Sequence, residues 1–112
     1  MRILVVCGAG ASSTFVAQRI NGAAQARALA YTATATNEIS LRDGMDSNDL
    51  ILVGPHLEPR LAWIRELAAP HGVGVVLADA DVFSDLDGTR TLARIESAVT
   101  DGTAWSTPTA TY

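Results

Sequence analysis

The stretch Ile3-Leu4-Val5-Val6-Cys7-Gly8-Ala9-Gly10-Ala11-Ser12-Ser13-Thr14 joins four aliphatic residues to the chain's only cysteine and then to a Gly/Ala/Ser run. An unbroken apolar run of that length is how a strand buried on both faces of a parallel sheet reads. Two further runs share the pattern, residues 50–53 and, with Gly74 inside it, residues 73–77. A fourth segment, Tyr31-Thr32-Ala33-Thr34-Ala35-Thr36, alternates threonine with alanine, which suits a less buried strand at a sheet edge.

Helical spacing fills the intervals. From Ser13 to about Ala28, Val16, Ile20, Ala23, Ala24 and Arg27 recur on one face, and Ser12 or Ser13 serves as the expected N-cap. Pro59 suits a first helical turn ahead of Leu61, Ile64, Leu67 and Ala68, and Pro70-His71-Gly72 stops that helix. After Asp87-Gly88-Thr89, the residues Leu92, Ile95 and Val99 mark the last helix, and only a short helix is expected between Asn37 and Arg42. The order βαβαβαβα predicts an α/β fold, a parallel sheet covered by helices through right-handed crossovers. Ligands of such sheets sit beyond the carboxyl ends of the strands, so each strand-to-helix junction is a candidate site.

Composition narrows the class. A chain of 112 residues, 48% hydrophobic and 18% charged, suffices for one core without disulfide or metal staples. One cysteine excludes an intramolecular disulfide framework, and a net charge of −4 argues against a nucleic-acid partner. No apolar run approaches the roughly 18–20 residues of a membrane helix, and residues 3–7 fall short of the about 7–15 of a signal-peptide core. A cytoplasmic protein is expected, with no metal or cofactor. From Thr100 the sequence turns Thr-rich and loses its period, so residues 100–112 read as a flexible tail after a domain of residues 1–99; docking of Trp105 on that domain is the alternative.

The junction after the first strand carries the chemistry. Walker A fails for want of a Gly-Lys pair, and the dinucleotide fingerprint fails because Ser13 stands where its third glycine belongs. What remains is an anion cradle. Gly8 and Gly10 allow a tight turn that gathers backbone N–H groups, the helix start adds its own, and Ser12, Ser13 and Thr14 add hydroxyls. Gly8, Ala9, Gly10, Ala11, Ser12, Ser13 and Thr14 are thus the expected phosphate-binding residues. Cys7 at the mouth of the cradle is the expected catalytic nucleophile, its thiol lowered by the helix N-terminus. The competing reading, a small hydrophobe closing a strand, is the usual fate of a lone cysteine; the glycines and hydroxyls after it favour the nucleophile.

These residues resemble the enzyme IIB components of the sugar phosphotransferase system, lactose/cellobiose type. The opening resembles that family's strand ending in Cys-Gly-x-Gly-x-Ser-Ser/Thr-Ser/Thr. Asp49-Leu50-Ile51-Leu52-Val53-Gly54-Pro55-His56 resembles its Asp, aliphatics, Gly-Pro-Gln segment, and Asp81-Val82-Phe83-Ser84-Asp85-Leu86-Asp87-Gly88 its Asp-Tyr-Gly-x-x-(Asp)-Gly segment. The resemblance covers roughly residues 1–99. It implies a four-stranded parallel sheet of order 2-1-3-4, helices on both faces and a phosphate loop after strand 1. It also implies a phosphotransferase in which Cys7 takes a phosphoryl group from the histidine of a IIA protein and passes it to a sugar in the membrane component IIC. His56 departs from the family's glutamine and Phe83-Ser84 from its Tyr-Gly pair, so His56, Asp81 and Phe83 are candidates for partner or site contact.

Other residues weigh less. His71 lies at the opposite edge by topology; Asp79, Asp81, Asp85 and Asp87 read as capping and solvated; Trp63 reads as packing or a surface anchor, and Arg19 and Arg27 as solvated. The alternative function is a small Cys-dependent phosphatase or arsenate reductase, whose Cys-x5-Arg loop would need arginine at position 13. Serine stands there. Without that guanidinium fork the charge of hydrolysis is poorly clamped, which favours a phosphoryl carrier. A third reading, a regulatory domain that keeps the fold without the chemistry, stays open. A monomer that docks transiently on its partners is expected.

Overall fold

β1 (Arg2–Val6) buries every residue after Arg2, because it runs through the middle of the molecule. It pairs in parallel with β2 (Thr32–Thr36) on one side and β3 (Leu50–Val53) on the other, and β3 pairs in parallel with β4 (Gly74–Leu77). The order β2-β1-β3-β4 is the one implied at the sequence level. The computed structural model describes residues 1–7 and 10–105, with only the backbone described at 10 and 11. Register sets the functional edge. Val6 stands opposite both Thr36 and Val53, and Val53 opposite Leu77, so the four strands finish in one row.

Alternation within each strand explains the unbroken apolar runs, because successive side chains enter different layers. Ile3, Val5, Cys7, Leu50, Leu52 and Val76 face α1 (Gly10–Ala26) and α3 (Thr89–Thr100), meeting Val16, Ile20, Leu92 and Ile95. Leu4, Val6, Ile51, Val53 and Val75 face the opposite layer, where Leu41, Met45, Leu57, Ile64 and Ala68 close over them. That second layer is α2 (Leu61–Ala68) with 3-10 helices over Leu41–Ser47 and Pro55–Arg60. Edge strand β2 buries only Ala33, as its Thr/Ala pattern predicts. The amide of Asn21 on α1 closes that edge, donating to the Ala33 carbonyl at 2.9 Å and accepting from its N–H at 2.7 Å.

Several boundaries differ from the sequence reading. α1 begins at Gly10, ahead of the expected Ser13, so Ser12 and Ser13 lie inside the helix and neither is its N-cap. It ends at Ala26, and Ala28 takes a left-handed φ of 56° while Leu29 N–H bonds the Ala24 carbonyl at 2.8 Å. The short helix expected at 37–42 lies later, over Leu41–Ser47, because the Asn37 side chain accepts from Ser40 N–H at 2.8 Å and makes a turn instead. Pro59 falls inside the 3-10 segment Pro55–Arg60, and α2 starts after it at Leu61. Gly72, with a φ of 68°, ends the following turn as expected.

Past α3, Thr103–Trp105 forms a 3-10 turn against the start of β4. Ala104 is buried there, and the Trp105 indole donates to the Gly72 carbonyl at 3.1 Å. Residues 106–112 lie outside the described residues.

Candidate functional site

Cys7 follows β1 directly and is 3% exposed, enclosed where the ends of β1 and β3 meet. Gly54 N–H donates to the Val6 carbonyl at 2.8 Å and continues the sheet one step past β3. A Cβ on Gly54 would lie 2.9 Å from Cys7 Sγ and 3.2 Å from Cys7 Cα. Its φ of −64° is open to any residue, so glycine is required here for space and not for backbone shape. Gly54 stands at the junction after β3, and its contact with Cys7 is not written in the sequence. The only signal was a glycine immediately after a buried run.

α1 begins at Gly10, three residues after Cys7. With the helix beginning at Gly10, the unpaired N–H groups of its first turn belong to residues 10–12, and they supply the positive end of the dipole. Gly8 and Ala9, two of the expected phosphate-binding residues, lie outside the described residues. Ser13 is buried, and its hydroxyl donates to the Thr36 carbonyl at 3.3 Å, tying α1 to the end of β2. Ser12 is half-buried and Thr14 exposed.

One electrostatic expectation is reversed. Burial pushes the Cys7 thiol up from 9.0 to about 11, where the sequence predicted a lowered value. Losing water costs the thiolate its hydration, which raises the value. Cys7 is therefore a protonated thiol at neutral pH.

The remaining candidates separate clearly. His56, two residues beyond Gly54, lies stacked on Phe83, with ring centroids 6.0 Å apart and planes 20° apart. Arg19, read as solvated, instead donates to the Phe83 carbonyl at 2.9 Å and fixes that loop on α1. Arg27, also read as solvated, pairs with Glu96. Asp81 pairs with Arg90 at 2.7 Å. Asp85 is buried and accepts from both Thr91 N–H and Thr91 Oγ1 at 2.7 Å, and Asp87 accepts from Thr89 N–H at 3.0 Å. Those Thr89 bonds hold the Asp87 carboxyl below its ordinary range. Asp85 and Asp87 thus bond backbone N–H groups in the first turn of α3, whose N-cap is Gly88, and the buried Asp85 departs from the solvated reading. His71 contacts Asp46 at 2.7 Å, away from Cys7, and Trp63 lies under Arg60 at 4.7 Å. Among the described residues, no cluster of His, Cys, Asp or Glu has the makings of a metal site.

A four-stranded all-parallel sheet of order β2-β1-β3-β4, with helices on both faces and a buried cysteine just past its central strand, defines an open-sheet α/β domain. The chain belongs to the family described as PTS system, Lactose/Cellobiose specific IIB subunit, whose model matches residues 2–91. It shares the fold of the lactose-specific IIB component domain of the phosphoenolpyruvate:carbohydrate phosphotransferase system from Streptococcus pneumoniae. That likeness has a TM-score of 0.78 at 19% identity and covers 87% of this chain and 95% of that one. The cellobiose-specific phosphotransferase IIB component from Borrelia burgdorferi is similar at 27% identity and a TM-score of 0.69, covering 90% of this chain and 93% of that one. No curated protein matches the sequence. Membership carries the general role of a IIB subunit: phosphotransfer in sugar uptake, between IIA and IIC partners.

Proposed function

We propose that this chain is a phosphoryl carrier whose Cys7 accepts phosphate from a phosphohistidine on a IIA protein and donates it to a sugar entering through a IIC transporter. The observation that supports the reading best is the placement of Cys7. It stands just past the end of the central strand and three residues ahead of α1, and Gly54 is cleared of any side chain against its sulfur. In the first step the S–P bond forms, the donor's P–N bond breaks, and the thiol proton passes to the departing imidazole. In the second step the sugar hydroxyl attacks phosphorus, and its proton replaces the phosphoryl group on sulfur.

A thiol that keeps its proton at rest suits this sequence, since it becomes nucleophilic only as the donor leaves. The unpaired N–H groups at the start of α1 are the groups we assign to the phosphoryl oxygens. Serine at position 13 leaves the loop without the arginine that hydrolytic relatives of this topology use, so water competes poorly for phosphocysteine. The buried Asp85 is engaged by Thr91, which removes it as the general acid of a phosphatase. We read the chain as a cytoplasmic monomer that meets its partners transiently; no described helix is long and apolar enough to cross a membrane.

The test is incubation with phosphorylated IIA protein, followed by intact-mass measurement and peptide mapping. One phosphate on Cys7, absent from Cys7→Ser, is expected. A label on His56 or His71, or Cys7-dependent steady hydrolysis of an aryl phosphate, would sink the carrier mechanism.

A further inference from the structure

α1 is tied to the edge strand β2 at two places. Along the body of the helix, Asn21 exchanges two hydrogen bonds with the Ala33 backbone, at 2.9 and 2.7 Å. Near its start, Ser13 reaches the last residue of β2. The Ser13 hydroxyl donates to the Thr36 carbonyl at 3.3 Å, and the residue is only 1% exposed. Thr36 stands opposite Val6 in the parallel register, and Val6 leads directly into Cys7. The Ser13 bond therefore joins the first turns of α1 to the sheet beside the residue that precedes Cys7.

We infer that Ser13 is a positioning residue for phosphotransfer: anchored on β2, it fixes the start of α1 so that the N–H groups of residues 10–12 meet the phosphoryl oxygens on Cys7. The inference rests on the carrier reading. It gives this hydroxyl a different task from the phosphate contact that its place in the Gly/Ser run suggests.

The physical case lies in where the anchor acts. Residues 10–12 fall within one turn of Ser13, since a helix rises about 1.5 Å per residue. The N–H groups of a first turn have no partner inside the helix, and helix ends fray. A buried side-chain bond at that point limits how far the turn can drift. A drift of about 1 Å between reacting groups costs up to about a hundredfold in rate. Asn21 lies eight residues further on, about 12 Å along the axis. It holds the body of the helix and leaves the setting of the first turn to Ser13.

The experiment compares wild type, Ser13→Ala, Ser13→Thr and Asn21→Ala by two readouts. One is the rate at which phosphorylated IIA protein places phosphate on Cys7, followed by intact mass. The other is amide hydrogen exchange at residues 14–16 in the protein without phosphate, because those N–H groups bond the carbonyls of the first turn. Ser13→Ala is expected to take phosphate about tenfold or more slowly and to exchange several-fold faster at residues 14–16. Ser13→Thr, which keeps the hydroxyl, is expected to restore both. Asn21→Ala is expected to melt at least as early as Ser13→Ala while keeping transfer within about twofold of wild type.

Slow transfer in Ser13→Ala with unchanged exchange would make Ser13 a phosphate ligand and overturn the inference. Faster exchange with unchanged transfer would make it a structural tie alone, which overturns the inference as well. So would a Ser13→Thr variant that behaves like Ser13→Ala, or an Asn21→Ala variant slowed to the same degree. Each of these leaves the carrier reading standing. Absence of phosphate on wild-type Cys7 overturns the carrier reading itself, and this inference with it.

Discussion

Two glycines at opposite ends of the sheet each leave room for one side chain, and the side chains differ in kind. At the carboxyl edge Gly54 gives way to Cys7, whose Sγ would lie 2.9 Å from an added Cβ. At the amino edge Gly74 gives way to Trp105, whose Cε2 would lie 3.0 Å away. The obstructing atoms at Gly54 include the Cα of Cys7, which cannot move without displacing β1. At Gly74 they are an indole and the Ala104 methyl, on the short turn Thr103–Trp105. The same packing device thus holds the sulfur we propose as the reacting atom at one end and a replaceable strap at the other.

The largest expected effect tests the thiol end. Alkylation of Cys7 at about pH 7 should be at least about a hundredfold slower in the folded protein than in urea, since burial moves the thiol from 9.0 to about 11. Equal or faster reaction when folded would restore the activated thiolate that the sequence alone suggested. The same shift has a sign for stability. The folded state holds the thiol proton longer than the unfolded chain. Its contribution is therefore complete below pH 9.0 and lost as pH rises towards about 11, a fall that Cys7→Ala should remove.

Gly54→Ala comes next. It should cost about 1–3 kcal/mol of stability and slow phosphotransfer by about tenfold or more, read by thermal melting and by Cys7 labelling from phosphorylated IIA. Gly74→Ala should cost only about 1 kcal/mol, shift the Trp105 emission to the red in a Trp63→Phe background, and leave transfer within about twofold. Transfer lost equally in both would break the contrast between the two ends.

The smallest effect belongs to the amino edge as well. Ala28 holds a left-handed φ of 56° where α1 ends, and Ala28→Gly should raise stability by about 0.5–1 kcal/mol without touching transfer. No gain on chemical denaturation would show that this turn relaxes more cheaply than its φ implies.

Much of the fold was legible because strands that alternate between two covered layers must be apolar throughout. Residues 3–6 and 50–53 declared themselves in that way, and the Thr/Ala alternation of 31–36 marked the open edge. A capping role in the acidic loop was legible in outline, but the burial of Asp85 and its bonds to Thr91 were not. Boundaries were less so. The start of α1 was read from its serines, yet nothing in Gly10-Ala11-Ser12 forbids helix, and the helix extends back to Gly10. The 3-10 turn over Leu41–Ser47 was displaced because its burial against Leu4 and Val6 is tertiary.

By itself, then, the sequence determined the alternation of strands and helices, the parallel sheet and the placing of Cys7 at a strand-to-helix junction. Those follow from local period and from residue types at fixed spacing, which need no knowledge of neighbours. Only the tertiary structure decided how Cys7 is held and in which protonation state it rests. Its thiol value depends on how much water reaches the sulfur, and that is set by burial among residues distant in the chain, Gly54, 47 positions away, among its neighbours. The stack of His56 on Phe83 is of the same kind. Distance in space, which the order of residues does not carry, made both.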